Sequence, residues 1–282
     1  MLDAVSLQPV DYLVMGHITQ DLTRDGPRLG GTATYSALTA RALGLRVGVV
    51  TSINESTSLK TLEDIQVISI PSEHTTTFEN IYDKDGRKQI LHHRAAQISF
   101  DSIPEIWRSA SIIHLGPIAQ ELDSELSKDF SPSLLGVTPQ GWMRTWNNDG
   151  HVMVCQWQNS ESLLSKANAV VISREDVGGD EELIEGMAHQ TKILTVTEAE
   201  AGAVLYWNGD RRRFRAPEVE EVDATGAGDI FASAFFIRLH QTRDPWEAAR
   251  FATQLASRSV TRVGLDGIPT QREIDECLME VF

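Results

Sequence analysis

Apolar and polar positions alternate along this chain in two rhythms, short strand-like runs and longer stretches with helical spacing. In the N-terminal half, Asp11 to Ile18 reads as a strand, Thr32 to Leu43 as a helix and Arg46 to Ser52 as a second strand. Gly or a polar residue bounds each of them, and the order is that of a βαβ unit with a parallel sheet. The runs Ser111 to Leu115, Leu134 to Thr138, Ala169 to Ser173 and Lys192 to Thr197 are continuously apolar, as strands covered on both faces must be. The pattern predicts an α/β protein, a three-layer sandwich with helices on both faces of a central, mostly parallel sheet.

One segment breaks the rhythm. Thr75 to Tyr82 and Arg87 to Arg94 flank the turn Asp83-Lys84-Asp85-Gly86, which predicts a β-hairpin. It follows a βαβ unit and leads into no helix, so a small lid formed mainly by residues 74–95 is expected to project from the sheet. The plainer alternative is an edge hairpin that covers nothing. After Pro217 the pattern turns helical, with apolar spacings of three and four over Gly226 to His240, Asp244 to Val263 and Thr270 to Val281. Pro245 and Pro269 stand at helix starts, where a missing N–H costs nothing. No internal repeat, low-complexity tract or composition shift marks a linker, so residues 1–282 are expected to form a single domain with its lid.

Composition narrows the functional classes. A hydrophobic fraction of 41% supports a sizeable core, and a formal charge of -15 argues against a nucleic-acid partner, because phosphate backbones need clustered Lys and Arg. A local anion site built on backbone dipoles stays open. Met1 to Val10 is acidic and polar where a leader would be basic and then apolar, and no apolar run approaches the roughly 20 residues of a membrane span. A cytoplasmic protein with no membrane partner is expected. Cys155 and Cys277, the only cysteines, are too few for a disulfide framework and lack zinc spacing.

The densest chemistry lies in Val222-Asp223-Ala224-Thr225-Gly226-Ala227-Gly228-Asp229-Ile230-Phe231-Ala232, a glycine-rich turn running into a helix. Glycines let the backbone approach a phosphate, and the first N–H groups of the helix are unsatisfied and lie at its positive end. A carboxylate in that first turn, Asp229, stands where it can take a proton from an attacking hydroxyl. On local physics alone, an acid that merely complements the helix dipole would be the better reading.

The length of the motif reverses that judgement. Asp223-Ala224-Thr225-Gly226-Ala227-Gly228-Asp229 resembles the signature of the ribokinase-like (PfkB) carbohydrate kinases. Leu29-Gly30-Gly31-Thr32-Ala33-Thr34-Tyr35 is similar to the family's N-terminal double glycine, and Gly16-His17-Ile18-Thr19-Gln20-Asp21 to its strand end with a substrate-binding acid. Ser259-Val260-Thr261-Arg262-Val263-Gly264 resembles the C-terminal segment near the nucleotide. The resemblance implies a Rossmann-like core with a β lid, ATP and Mg2+, with Asp229 as catalytic base and Gly226, Ala227 and Gly228 as anion hole. It places Asp21, Gly30 and Gly31 against the substrate, and Thr197, Gly202 and Gly264 against the nucleotide. Asp223 and Thr225 would help to form a monovalent-cation site, for K+; a turn held by side-chain to backbone hydrogen bonds is the competing reading.

Two places depart from the family pattern. Where the family carries Asn-x-x-Glu before its Mg2+ site, this chain reads Ser173-Arg174-Glu175-Asp176, so Glu175 or Asp176 would serve the metal through water. The Thr-x-Gly-x-x-Gly nucleotide loop reads Thr197-Glu198-Ala199-Glu200-Ala201-Gly202, with Ala199 in place of the first Gly and two acids expected to point to solvent. Only eight residues separate Asp21 from Gly30, so the first lid excursion is expected to be short or absent, which leaves monomer and homodimer both open.

Gln140 and Arg144, in Gly136-Val137-Thr138-Pro139-Gln140-Gly141-Trp142-Met143-Arg144, follow a strand on the ligand-binding side of an α/β sheet. Both donate well to hydroxyls, and a similar Gln and Arg occur in the inositol-kinase branch. The reading is therefore ATP-dependent phosphorylation of a hydroxyl on a small polyol, a sugar or a cyclitol such as inositol. Two alternatives stand beside it. One is a nucleoside kinase using Tyr35 and Trp142 as aromatic contacts; the other is a non-catalytic ligand-binding protein on the same fold, motivated by Ser173 and Ala199.

Overall fold

A computed structural model describes residues 7–83, 86–123 and 132–279. The N-terminal half runs β1 (Tyr12–Met15), β2 (Thr19–Thr23), β3 (Gly26–Gly30), α1 (Thr32–Ala42), β4 (Val47–Ile53) and β5 (Gln66–Pro71). It continues with β6 (Thr76–Asp83), β7 (Gly86–His93), β8 (Ile112–Leu115), β9 (Leu134–Val137), β10 (Arg144–Trp146) and β11 (Val152–Val154). Then come α2 (Ser160–Lys166), β12 (Ala169–Ser173), α3 (Glu181–Gln190), β13 (Ile193–Thr197), β14 (Ala203–Trp207) and β15 (Asp210–Phe214). The chain closes with α4 (Ala227–Thr242), α5 (Pro245–Ser259) and α6 (Gln271–Met279).

The central sheet has nine strands in the order β15-β14-β13-β12-β9-β8-β1-β4-β5. The pairs from β13 through to β5 are parallel, and the antiparallel hairpin of β14 and β15 caps one edge. Alternate residues of each strand serve opposite cores. Tyr12 and Val14 pack into the core under α1, α4, α5 and α6, whereas Leu13 and Met15 pack into the core under α2 and α3. This alternation explains why the strands read as unbroken apolar runs: both pleat faces are dry.

Chain order reverses at β1. From β1 the path leads outward to β4 and β5, then returns to β8 on the other side. The carboxyl ends of β1 and β8 therefore flank a topological switch point, where α/β sheets open a crevice for ligands. Gly16 and Gly116 end those strands so close together that a Cβ on Gly16 would overlap the Gly116 carbonyl.

The lid is larger than the sequence suggests. Residues 19–30 form a hairpin, β2 and β3, and β2 pairs in parallel with β6, so the lid is a four-stranded sheet in the order β3-β2-β6-β7. The short first excursion is thus present, and the hairpin expected over 74–95 is the other half of the same sheet. Its turn residues, 84 and 85, lie outside the described residues. His17 pins the lid's base to β1: its Nε2 bonds the Ala96 carbonyl at 2.9 Å and its Nδ1 the Thr76 hydroxyl at 2.7 Å. Since a carbonyl only accepts, Nε2 carries the proton, and a neutral ring then accepts from Thr76 at Nδ1. The buried Glu121 carboxylate accepts from the backbone N–H of His17, Ile118 and Ala119, which fixes the loop after β8 against the same point.

α5 ends at Ser259, four residues short of the expected Val263, and α6 begins at Gln271. Asp244 caps α5 by accepting from the N–H groups of Trp246 and Glu247, with Pro245 in the first turn as expected. The last expected residues of α6, through Val281, fall outside the described residues.

On β9, Gly136 lies flat against the Phe236 ring of α4, leaving no room for a Cβ. Gly136→Ala is expected to cost about 1–3 kcal/mol through overpacking, read as a lower urea midpoint at unchanged slope.

Candidate active site

α4 begins at the crevice. Gly226 precedes its first turn with φ 81 and ψ -5, a left-handed conformation suited to glycine, and a Cβ there would overlap the Tyr35 ring. Gly228 faces open space. The N–H groups of residues 226–228 thus start a helix whose positive end opens toward the crevice, and the side of Gly228 is clear for an anion to approach.

Asp229, half-buried in this first turn, is hydrogen-bonded by the Thr32 hydroxyl. Thr32 is the first residue of α1, fully shielded, and follows Gly31, whose φ of 83 turns the chain from β3 into the helix. Burial pushes the Asp229 carboxyl up to about 6; the Thr32 bond and the Arg144 charge pull it down, and the Asp176 and Asp21 carboxylates push it up. These influences place Arg144, Asp176 and Asp21 around Asp229, although they come from β10, the turn after β12, and β2. The Asp229 carbonyl also accepts from the Ser233 hydroxyl at 2.7 Å.

Asp21 sits on β2 opposite Arg28, and the bare face of Gly30 packs beneath its carboxylate, where a Cβ would collide with it. Gln140 lies in the short turn of residues 139–143 and donates to Asp176 Oδ1 at 3.0 Å. The other Asp176 oxygen accepts from the Ser173 N–H at 2.8 Å, which closes a capping box over the turn Arg174–Val177. Of the two acids named for the metal, Asp176 faces Asp229 and Gln140, and Glu175 is exposed.

Thr197, Gly202 and Gly264 are the residues expected against a nucleotide. Thr197 ends β13 and donates to the Ile172 carbonyl at 3.3 Å, and Gly202 is buried with φ 92 against the backbone of Phe214. Ala199 has φ 47, a left-handed conformation that costs an alanine roughly 1–2 kcal/mol. Glu198 does not point to solvent as expected: Arg174 holds it at 3.0 Å, and Arg213 grips its other oxygen. Glu200 is exposed. Gly264 closes the loop through its N–H to Asp223 Oδ2 at 2.9 Å, and Asp223 Oδ1 accepts from the Thr225 N–H at 2.9 Å. Both Asp223 oxygens thus hold the turn that leads into α4.

Two residues named as nucleobase contacts are not available for stacking. Tyr35 is 2% exposed and walls Gly226, while Trp142 is 8% exposed, stacked on Trp157 and donating to the Leu122 carbonyl. The Tyr35 hydroxyl is held above its usual range by burial and by the carboxylates of Asp21, Asp229 and Asp223, so it stays protonated. Thr32 was not singled out in the sequence. Its signal was present, a hydroxyl directly after the double glycine at a helix start, and only the contact with α4 gives it meaning. Among the described residues no group of three or more His, Cys, Asp or Glu is arranged to hold a metal, and no helix is long and apolar enough to cross a membrane.

A parallel sheet with its crevice at a switch point, a β lid, and a glycine-led helix carrying an acid in its first turn define the ribokinase fold. Solved structures share it. A pyrophosphate-dependent kinase of the ribokinase family, complexed with a pyrophosphate analog and myo-inositol, aligns with a TM-score of 0.76 at 21% identity over 94% of this chain and 99% of that one. Arabidopsis thaliana ribokinase complexed with ribose and ATP aligns at 0.72, with 18% identity over 96% and 99%. The cytidine kinase of Thermococcus kodakarensis is 26% identical over 90% of this chain and 98% of its own length. Residues 149–271, a little under half of the chain, match the model of the pfkB family carbohydrate kinases, and the fold around them is that of the solved ribokinase-family structures.

Gly226→Ala is expected to lower Tm and to abolish most turnover, because the Tyr35 ring and the positive φ both oppose it. Gly228→Ala is expected to leave Tm nearly unchanged while reducing kcat. Thermal melts paired with rate measurements separate the two.

Proposed function

We propose that the protein transfers the γ-phosphoryl group of ATP to a hydroxyl of a small polyol, a sugar or cyclitol, with Asp229 accepting the hydroxyl proton. The observation that carries this is the position of Asp229, in the first turn of α4 beside the exposed backbone of Gly228, with its carboxyl raised to about 6. As the substrate oxygen attacks, its proton passes to the Asp229 carboxylate, the new O–P bond forms and the bond from γ-phosphorus to ADP breaks. The N–H groups at Gly226, Ala227 and Gly228 stabilise the charge on the transferring group. Thr32 orients the carboxylate. Arg144, Gln140, Asp21 and the bare backbone at Gly30 and Gly31 line the acceptor side, where donors and acceptors alternate as a polyol requires. Thr197, Gly202 and Gly264 line the donor side.

Asp176 suits Mg2+, which keeps several waters and needs few direct carboxylates; the ion, when bound, would neutralise the phosphates. Asp223 and Thr225 are the residues toward a monovalent cation.

Below pH 6 the base is protonated, so kcat/KM is expected to rise about tenfold per pH unit up to the Asp229 pKa of about 6 and to level off above it. Asp229→Asn is expected to bind ATP and to lose about 10²–10⁴ in kcat. A raised carboxyl costs stability once ionised, so the same variant should melt higher than the parent at pH 8, by on the order of 1–3 kcal/mol, and the gain should vanish below pH 4. Equal turnover by Asp229→Asn in a coupled ADP assay removes Asp229 from the mechanism.

The relative that phosphorylates cytidine supports a second reading, a nucleoside acceptor, and the pyrophosphate-dependent neighbour raises the donor question. Initial rates with ATP or pyrophosphate against myo-inositol, ribose, fructose and cytidine decide both. Because Tyr35 and Trp142 are buried, the polyols are expected to exceed cytidine in kcat/KM by tenfold or more.

A further inference from the structure

A cavity of about 880 Å3 opens at the opposite end of the sheet from Asp229. Leu134 and Ile193, which begin β9 and β13, lie in its floor, whereas the candidate active site is built at the strands' carboxyl ends. Lys192, Arg211 and Arg243 reach it from three separate elements: the loop after α3, the edge strand β15 and the end of α4.

The chain carries 25 Lys and Arg against 40 Asp and Glu, and several of its arginines face carboxylates: Arg46 on Asp11, Arg238 and Arg250 on Glu247, Arg262 on Glu273. Lys192, Arg211 and Arg243 make no ion pair among the described residues. Arg211 instead lies over the Tyr206 ring at 5.8 Å, and Asp210 on the rim is occupied by Arg212 at 3.1 Å. Glu185 is the single lining carboxylate without a cation.

Helix dipoles favour a cation after α3 and at the end of α4, which accounts for Lys192 and Arg243 one at a time. They do not account for Arg211, which stands on a strand and converges on the same space. Arg243 also ends α4 at φ 59, a position that glycine occupies most easily, so an arginine is kept there against backbone preference.

We propose that this cavity is a second ligand site, for a small multianion bearing phosphate or carboxylate groups. The guanidinium forks of Arg211 and Arg243 match either group, Lys192 adds a point charge to the same lining, and the Tyr206 ring offers an apolar wall. The volume lies within the range of small-molecule sites. A ligand here sits against the ends of α4 and β13, whose other ends carry Asp229 and Thr197, so a regulatory role follows from the placement.

The test is calorimetric titration of the full chain with fructose 1,6-bisphosphate and, separately, with citrate, each with and without saturating Mg2+ and a non-hydrolysable ATP analogue. One probe or both is expected to bind once per chain in the presence of the analogue. Binding is expected to weaken at least tenfold in Arg211→Ala and in Arg243→Gly. The second change suits the backbone, so its Tm should not fall, which separates lost binding from lost folding. A response to the bisphosphate alone identifies phosphate as the recognised group, and a response to citrate alone identifies carboxylate. No heat from either probe at millimolar concentration, binding indifferent to both substitutions, or binding abolished by the ATP analogue overturns the proposal. None of these results bears on Asp229, which lies at the other end of the sheet.

Discussion

The contact between the starts of α1 and α4 is the constraint on which the rest of the site depends. Thr32 bonds Asp229 and the Tyr35 ring presses on Gly226, so two helix N-termini from opposite ends of the sequence meet over the same crevice. Each needs a glycine with positive φ at its entry, Gly31 for α1 and Gly226 for α4. The two turns are coupled: a side chain at Gly226 would displace Tyr35, and through α1 it would shift the Thr32 hydroxyl that orients the acid. Geometry and electrostatics are set together, because the packing that excludes water from Asp229 also lifts its carboxyl toward neutral pH.

Beneath this contact the sheet carries a second polar thread. Tyr12 on β1 bonds His114 on β8 at 2.7 Å, and the other His114 nitrogen bonds the Thr138 hydroxyl at 2.8 Å, at the turn that carries Gln140. Burial lowers His114 to about 3, so the ring is neutral and acts only through its hydrogen bonds. A neutral ring between a phenol and a hydroxyl can satisfy every polar group without a buried charge, which is the condition for a polar network inside a dry core. The turn that aims Gln140 at Asp176 is thereby tied to the strand at the switch point.

The layered α/β order was legible in the sequence because both strand faces are buried. Runs such as Ala169 to Ser173 have no polar phase to confuse them, and β12 spans that same range. The motif around Asp229 was legible for a different reason: left-handed turns, anion approach and an acid at a helix start demand particular residues in a fixed order. What the sequence could not disclose depends on pairing at a distance. The strand β2 is short, polar and half-exposed, and it is a strand only through its pairing with β3 and β6, so the four-stranded lid was read as a lone hairpin. β14 and β15 escaped notice because Arg211, Arg212 and Arg213 fill an edge strand with charge, as edges often are.

The departures from the family pattern are a sharper instance of the same distinction. Ala199 stands in this loop at φ 47, a left-handed angle that glycine adopts more easily than alanine. Glu198 adds a carboxylate after β13, yet Arg174 and Arg213 pair with its two oxygens, so its charge is already met. Ser173 lacks the family's amide, but its backbone N–H and hydroxyl close the capping box that presents Asp176 toward the crevice. Glu198 is accommodated by arginines from other elements, Ser173 by the turn that it caps, and Ala199 by a left-handed backbone. A motif mismatch therefore measures a change of residue; whether geometry is lost with it depends on neighbours far away in the chain.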